Sequence, residues 1–256
     1  MFVKSILATA AVILTLAASL ASAATVNATG KVTNNIIFGS GNANAAFTGV
    51  TVGGLELGLR AKLRYDASSS CAGGFGCAQN TFNYDGNNIY SFASNQSNAP
   101  ANRSIFNFEW SINSNTNGTG TALNGLSYMI DIDTNPSAIG GSWVSYDPLS
   151  VLSTGYYLGT NASPAGGATF RPGGTGNLSA FNLAQNSVNL GFLPGTNLGS
   201  GQFTIRLSAF APGNVPYAST SINVLVDVPA PIPLPAGLPL SGGAFAGLAL
   251  LRRRRT

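Results

Sequence analysis

The chain contains no histidine, carries only two cysteines, and is charged at just 8% of its positions. Without histidine the commonest general base is missing, and with it the Ser-His-Asp type triads and the usual zinc sites. Two thiols alone would leave a metal short of ligands, so a thiolate metal centre is not expected either. The scarcity of charge leaves solubility to neutral hydrogen-bonding side chains. These are abundant as Gly, Asn, Ser and Thr, and the Gly and Asn content matches many turns. Fourteen Phe, eight Tyr and two Trp speak against disorder for most of the chain.

The formal charge of +4 is a matter of location. Lys4 and Arg252, Arg253, Arg254 and Arg255 stand at the two ends. Residues 24–228 carry Lys31, Arg60, Lys62, Arg64, Arg103, Arg171 and Arg206 against eight acidic residues, a balance of −1. A nucleic-acid partner therefore has no electrostatic support.

Both ends read as addresses. Met1 to Ala23 has the basic Lys4, an apolar run from Ile6 to Leu20, and the small residues Ala21, Ser22 and Ala23. That is the pattern of a secretory signal handled by the Sec translocon and signal peptidase, with cleavage expected after Ala23. At the other end, the 20 residues from Ile232 to Leu251 carry no charge. As a helix they would extend roughly 30 Å, the thickness of a bilayer core. The four arginines behind them would hold the C-terminus in the cytoplasm and leave everything before the span outside. Alternating prolines from Pro229 to Pro235 predict a stiff, extended linker between body and membrane.

The body, residues 24–228, reads as one β domain. Leu55, Leu57, Leu59, Ala61, Leu63 and Tyr65 alternate with Glu56, Arg60, Lys62 and Arg64, which predicts a strand with one buried and one wet face. Phe106, Phe108, Trp110 and Ile112 repeat the pattern over 105–112, opposing Asn107, Glu109 and Ser111. A third strand over 126–133 ends before Pro136, and shorter ones are expected at 142–146 and 187–192. Two runs around Phe203–Ala209 and Ile222–Val226 predict a terminal hairpin with a long loop over 211–216. Residues 154–176, rich in Gly, Ala and Pro, read as a surface loop or flap. With no amphipathic helix of useful length and no repeat, the expected fold is mainly β: a single antiparallel, jelly-roll-like β-sandwich between an N-terminal signal peptide and a C-terminal transmembrane helix.

Candidate chemistry is sparse. Cys71 and Cys77 are expected to pair as a disulfide in an oxidising compartment, closing a short loop for about 2 to 3 kcal/mol on the chain-entropy account. Asp131, Asp133 and Asn135 have the alternate spacing of calcium ligands, although Pro136 and Ser142 stand where an EF-hand needs Gly and Glu. The competing reading puts both aspartates on a wet strand face ahead of a turn. No resident cofactor is expected, and calcium is the one metal left open. Glu109, between Phe108 and Trp110, is read as solvated or ion-paired with the basic row Arg60, Lys62 and Arg64. A pair of carboxylates for glycoside hydrolysis could be drawn from the acidic residues, yet nothing in their spacing selects one. Tyr84, Tyr90, Trp143, Tyr146, Tyr156 and Tyr157 fall in or near expected loops, where exposed rings would suit sugar.

Ile232-Pro233-Leu234-Pro235-Ala236, the following apolar span and the arginine cluster together resemble the VPLPA-CTERM variant of the PEP-CTERM protein-sorting signal, with Ile232 where the family has Val. The resemblance covers about a tenth of the chain. It implies an exported protein of a Gram-negative bacterium, anchored first in the inner membrane. Exosortase, an integral-membrane cysteine protease, would then recognise Pro233 to Ala236 and deliver the protein to the cell surface or the extracellular polysaccharide matrix. The stretches around Arg60 and Glu109 are also similar to ectodomains of such exported proteins, for which no activity follows. The expectation is a non-enzymatic structural, adhesive or glycan-associated protein. The alternatives are a secreted carboxylate-dependent glycoside hydrolase and a calcium-stabilised adhesion module.

Overall fold

The computed structural model describes residues 47–65, 78–94, 98–135, 141–149, 155–161, 169–171, 177–193, 195–196 and 199–228. The signal segment with Ala21 and Ala23, the cysteines Cys71 and Cys77, and the whole C-terminal array from Pro229 onward lie outside the described residues. Among the described residues no helix is long and apolar enough to cross a membrane.

Eleven strands are described: β1 (Thr48–Val52), β2 (Leu55–Leu63), β3 (Ile89–Phe92), β4 (Phe106–Asn113), β5 (Ser127–Asp133), β6 (Trp143–Tyr146), β7 (Tyr156–Gly159), β8 (Thr169–Arg171), β9 (Leu183–Asn189), β10 (Gly201–Ala211) and β11 (Val215–Val226). They form a six-stranded sheet in the order β1-β2-β4-β9-β7-β8 and a five-stranded sheet in the order β3-β11-β10-β5-β6. Only short 3-10 turns interrupt them among the described residues.

The alternation seen in the sequence places the core. Leu57, Leu59, Ala61 and Leu63 of β2 share a face with Phe106, Phe108, Trp110 and Ile112 of β4, paired as Leu59 with Trp110 and Ala61 with Phe108. Tyr128, Ile130 and Ile132 of β5 do the same with Ala209, Leu207 and Ile205 of β10. Both sets belong to one hydrophobic cluster to which the two sheets contribute. Polar bonds also join the sheets. The Thr48 and Tyr90 hydroxyls lie 3.1 Å apart, and Thr220 donates to the Thr48 carbonyl.

Turn chemistry sets two of the hairpins. Between β1 and β2 the loop is just Gly53-Gly54, both at positive φ, which suits the right-handed twist of the strands and which side chains with a Cβ resist. Between β10 and β11 only Pro212, Gly213 and Asn214 intervene, with a bulge at Ala209/Phe210.

Several expectations need correction. The five-stranded sheet is mixed, because β3 runs parallel to β11. The loop of the last hairpin is three residues, since pairing continues through Phe210–Pro216 and Ala211–Val215. The strand expected over 187–192 starts earlier, at Leu183, and stops at Asn189, whose side chain begins a 3-10 turn by accepting from the Gly191 N–H. The interval 154–176 contains β7 and β8 rather than loop alone. The largest departure is β2: every residue of it is buried, so the row carrying Glu56, Arg60 and Lys62 is not wet.

Candidate functional site

Polar side chains gather on two faces, one hidden and one open. The hidden one is the second face of the six-stranded sheet. Glu109 stands opposite Arg60 in the β2–β4 register. One carboxylate oxygen lies 2.5 Å from Arg60 Nε and the other 2.5 Å from Lys62 Nζ, with all three side chains at 0 to 2% exposure. The Arg60 guanidinium lies 4.2 Å from the Phe47 ring centroid and 4.7 Å from that of Phe82, so aromatic faces supply part of what water would. Phe47 can come this close because Gly58 presents no side chain; a Cβ there would stand 3.0 Å from the Phe47 Cβ.

Neutral groups continue the row. Gln185 donates to the Ser111 hydroxyl (2.9 Å), Asn107 to the Ser187 hydroxyl (3.0 Å), and Asn189 to the Asn107 side-chain Oδ1 (2.9 Å). These bonds satisfy groups whose burial would otherwise be costly. They also favour a structural role for the neutral part of this face, because those side chains are turned toward each other.

The open face belongs to the five-stranded sheet. Asp131 on β5 stands opposite Arg206 on β10 and Ser145 on β6. Its Oδ2 accepts from Arg206 Nη2 (2.9 Å) and Nε (3.1 Å), and its Oδ1 accepts from the Ser145 hydroxyl (2.6 Å). The guanidinium also lies 5.1 Å from the Trp143 ring centroid. Asp133, two residues on, is 4% exposed and accepts from the backbone N–H groups of Ser142 (2.7 Å) and Asn135 (3.0 Å). The wet-face reading therefore fails for Asp133, which is buried and whose carboxylate ties the backbone of Asn135 to that of Ser142, while Pro136 lies outside the described residues. The two aspartates and Asn135 are neighbours, but each carboxylate already has protein donors, and among the described residues no group of three or more His, Cys, Asp and Glu could hold a metal.

The other described acids behave alike. Asp85 accepts from Asn87 N–H and Asp147 from Leu149 N–H, each closing a local turn. Glu56 accepts from Thr51. Asp227 accepts from Ser94 N–H and from the Ser200 hydroxyl. Burial would raise the Asp227 carboxyl, but the bonds from Ser200 and Ser94 outweigh it and hold the group below its ordinary value.

Of the aromatic residues expected near loops, Tyr90 on β3 and Tyr156 on β7 are core, and Tyr84 packs its ring 5.0 Å from that of Tyr90. Burial pushes the Tyr90, Tyr128 and Tyr146 phenols well above their usual range, so all three stay neutral. Trp143, 44% exposed, is the one of that group open as a large apolar surface. Sequence reasoning did not join it to Arg206 and Ser145. Arg206 is the sole charge in β10, a visible signal, but its partner lies 75 residues away and only register reveals it. Compared with known proteins, the chain matches no family model, no curated protein and no solved structure.

Proposed function

We propose that this is an exported, non-enzymatic surface or matrix protein whose β-rich body is delivered through the Sec route, anchored by the C-terminal span, and released to the surface by exosortase. The observation that carries this reading is the fixed order of Ile232-Pro233-Leu234-Pro235-Ala236, an uncharged span and Arg252 to Arg255, opposite a secretory signal ending at Ala21-Ser22-Ala23. The two sheets, sharing one hydrophobic cluster, form in this reading a single jelly-roll-like β-sandwich. The engagement of the described acids supports a structural role over a hydrolytic one. Glu109 is locked between two cations, and Asp131 is clamped by Arg206 and Ser145.

The test is the intact mass of the mature protein recovered separately from membrane, surface and medium, in cells with and without exosortase. A chain starting at Ala24 and ending between Pro229 and Ala236 only when exosortase is present is the expected result. A mass retaining Arg252 to Arg255 in both strains would overturn the processing step.

A further inference from the structure

We infer that the open face of the five-stranded sheet, centred on Trp143 and Arg206, is a binding platform for a neutral polysaccharide chain. This rests on the reading of the protein as a matrix component and names its partner. Trp143 is an exposed ring at 44%, and the Arg206 guanidinium beside it holds it in a defined environment. A ring that is already ordered offers an apolar plate to a sugar face with little further loss of side-chain freedom.

Around this plate the polar groups are fixed in advance. The Arg206 side chain is 46% exposed, and its ion pair with Asp131 uses Nε and Nη2, so Nη1 lies outside the pair. The Asp131 oxygens each accept one side chain and have lone pairs left for a hydroxyl. Arg206 and Asp131 also line a shallow groove of about 230 Å³ shared with Ser208, Phe210, Pro216 and Ser219. From β6 across β5 and β10 to β11 the row spans roughly 14 Å at ordinary strand spacing, room for a few sugar rings end to end.

Charge selects the ligand class. Asp131 cancels Arg206, and Asp133, which stands between Trp143 and Thr204, is buried with its carboxylate turned onto the Ser142 and Asn135 N–H groups; the remaining neighbours are hydroxyl and amide, with Thr204 bonded to Asn223. A face whose exposed charges cancel, whose one further carboxylate is buried, and which keeps both donors and acceptors fits a neutral glycan better than an acidic polymer or a basic protein surface.

The two tryptophans provide the assay. Trp110 is fully buried and Trp143 exposed, so acrylamide quenches Trp143 selectively. With the full mature chain, hydroxyethylcellulose, galactomannan and dextran serve as neutral probes and polygalacturonate as the acidic one. The expected result is that at least one neutral probe protects the exposed tryptophan and retards the protein in affinity gels. Trp143→Ala should weaken retardation about tenfold and Trp143→Phe less, while the buried Trp110 signal reports that each variant is folded. Unchanged retardation in a folded Trp143→Ala variant, no binding to any neutral probe, or binding to polygalacturonate alone would each overturn the assignment. Correct processing with no glycan binding would sink this inference and leave the export reading standing; binding without processing would do the reverse.

Discussion

Glu109 faces Arg60 directly across β2 and β4, 2.5 Å from its Nε, with both side chains fully excluded from solvent. Lys62 reaches the other carboxylate oxygen. Two cations on one carboxylate make this a unit, and removing its anion leaves charges that have already lost their water. Glu109→Gln is therefore expected to lower unfolding free energy by about 3 to 5 kcal/mol, read from urea midpoints. Replacing all three residues by apolar groups of similar volume should recover most of that loss, because no uncompensated charge remains. A loss below about 1 kcal/mol for Glu109→Gln would mean that the cluster is not closed to water.

The same pair shows what the sequence could and could not tell. Period-two alternation located β2, β4 and β5 and the paired runs of β10 and β11, because long strands with one apolar row announce themselves. It read the second row of β2 as wet, since Arg, Lys and Glu in a strand look solvated unless a cover is known. The short strands β1, β3, β7 and β8, of three to five residues, sit in Gly- and Asn-rich stretches where too few positions exist for a period to emerge. The link from Asp131 to Arg206 spans 75 positions and is a property of register alone.

Asn189 ends β9 with an amide that is used on every side. Its Oδ1 accepts from the N–H groups of Ser104 and Gly191 (both 3.0 Å), and its Nδ2 donates to the carbonyls of Ser104 (2.8 Å) and Phe106 (3.1 Å) and to Asn107. Asn189→Ala strands several buried backbone groups and is expected to cost about 3 kcal/mol. Asn189→Asp keeps the acceptor but turns a carboxylate toward carbonyl oxygens. Relative to the parent chain at each pH, it should be more destabilised at pH 7 than at pH 4.5, as denaturant titrations at the two values will read. A penalty independent of pH would show that the charge of the introduced carboxylate, set against the Ser104 and Phe106 carbonyls, plays no part.

Calcium should leave the described domain unchanged. A site with a Kd of 10 μM, saturated at 1 mM calcium, would add about 2.7 kcal/mol, enough to raise Tm by several degrees in a domain of this size. Asp131 and Asp133 would have to abandon Arg206, Ser145 and two backbone N–H groups to provide it. The expected Tm, followed by circular dichroism, is the same in calcium and in chelator. A rise of several degrees that Asp133→Asn abolishes would restore the adhesion-module alternative.

Asp227 ties off the end of β11 immediately before the proline-rich segment. Its backbone N–H donates to the Phe92 carbonyl (2.9 Å) and its carboxylate collects Ser94 N–H and the Ser200 hydroxyl, all from a left-handed backbone at φ 58°. Its carboxyl titrates lower when folded than when unfolded, so the stabilisation is present above the unfolded value of about 3.9 and is lost as pH falls through the folded one. Asn tolerates the same backbone region, which makes Asp227→Asn a test of charge more than of conformation. The parent chain should exceed this variant in urea midpoint at pH 7, and the gap should close as pH falls below about 4. A gap that stays constant down to pH 2.5 would show that the carboxylate's charge plays no part. A gap that closes would identify Asp227 as an acid-sensitive tie holding the last strand against Phe92 and Ser94, at the point where the chain leaves the sheet.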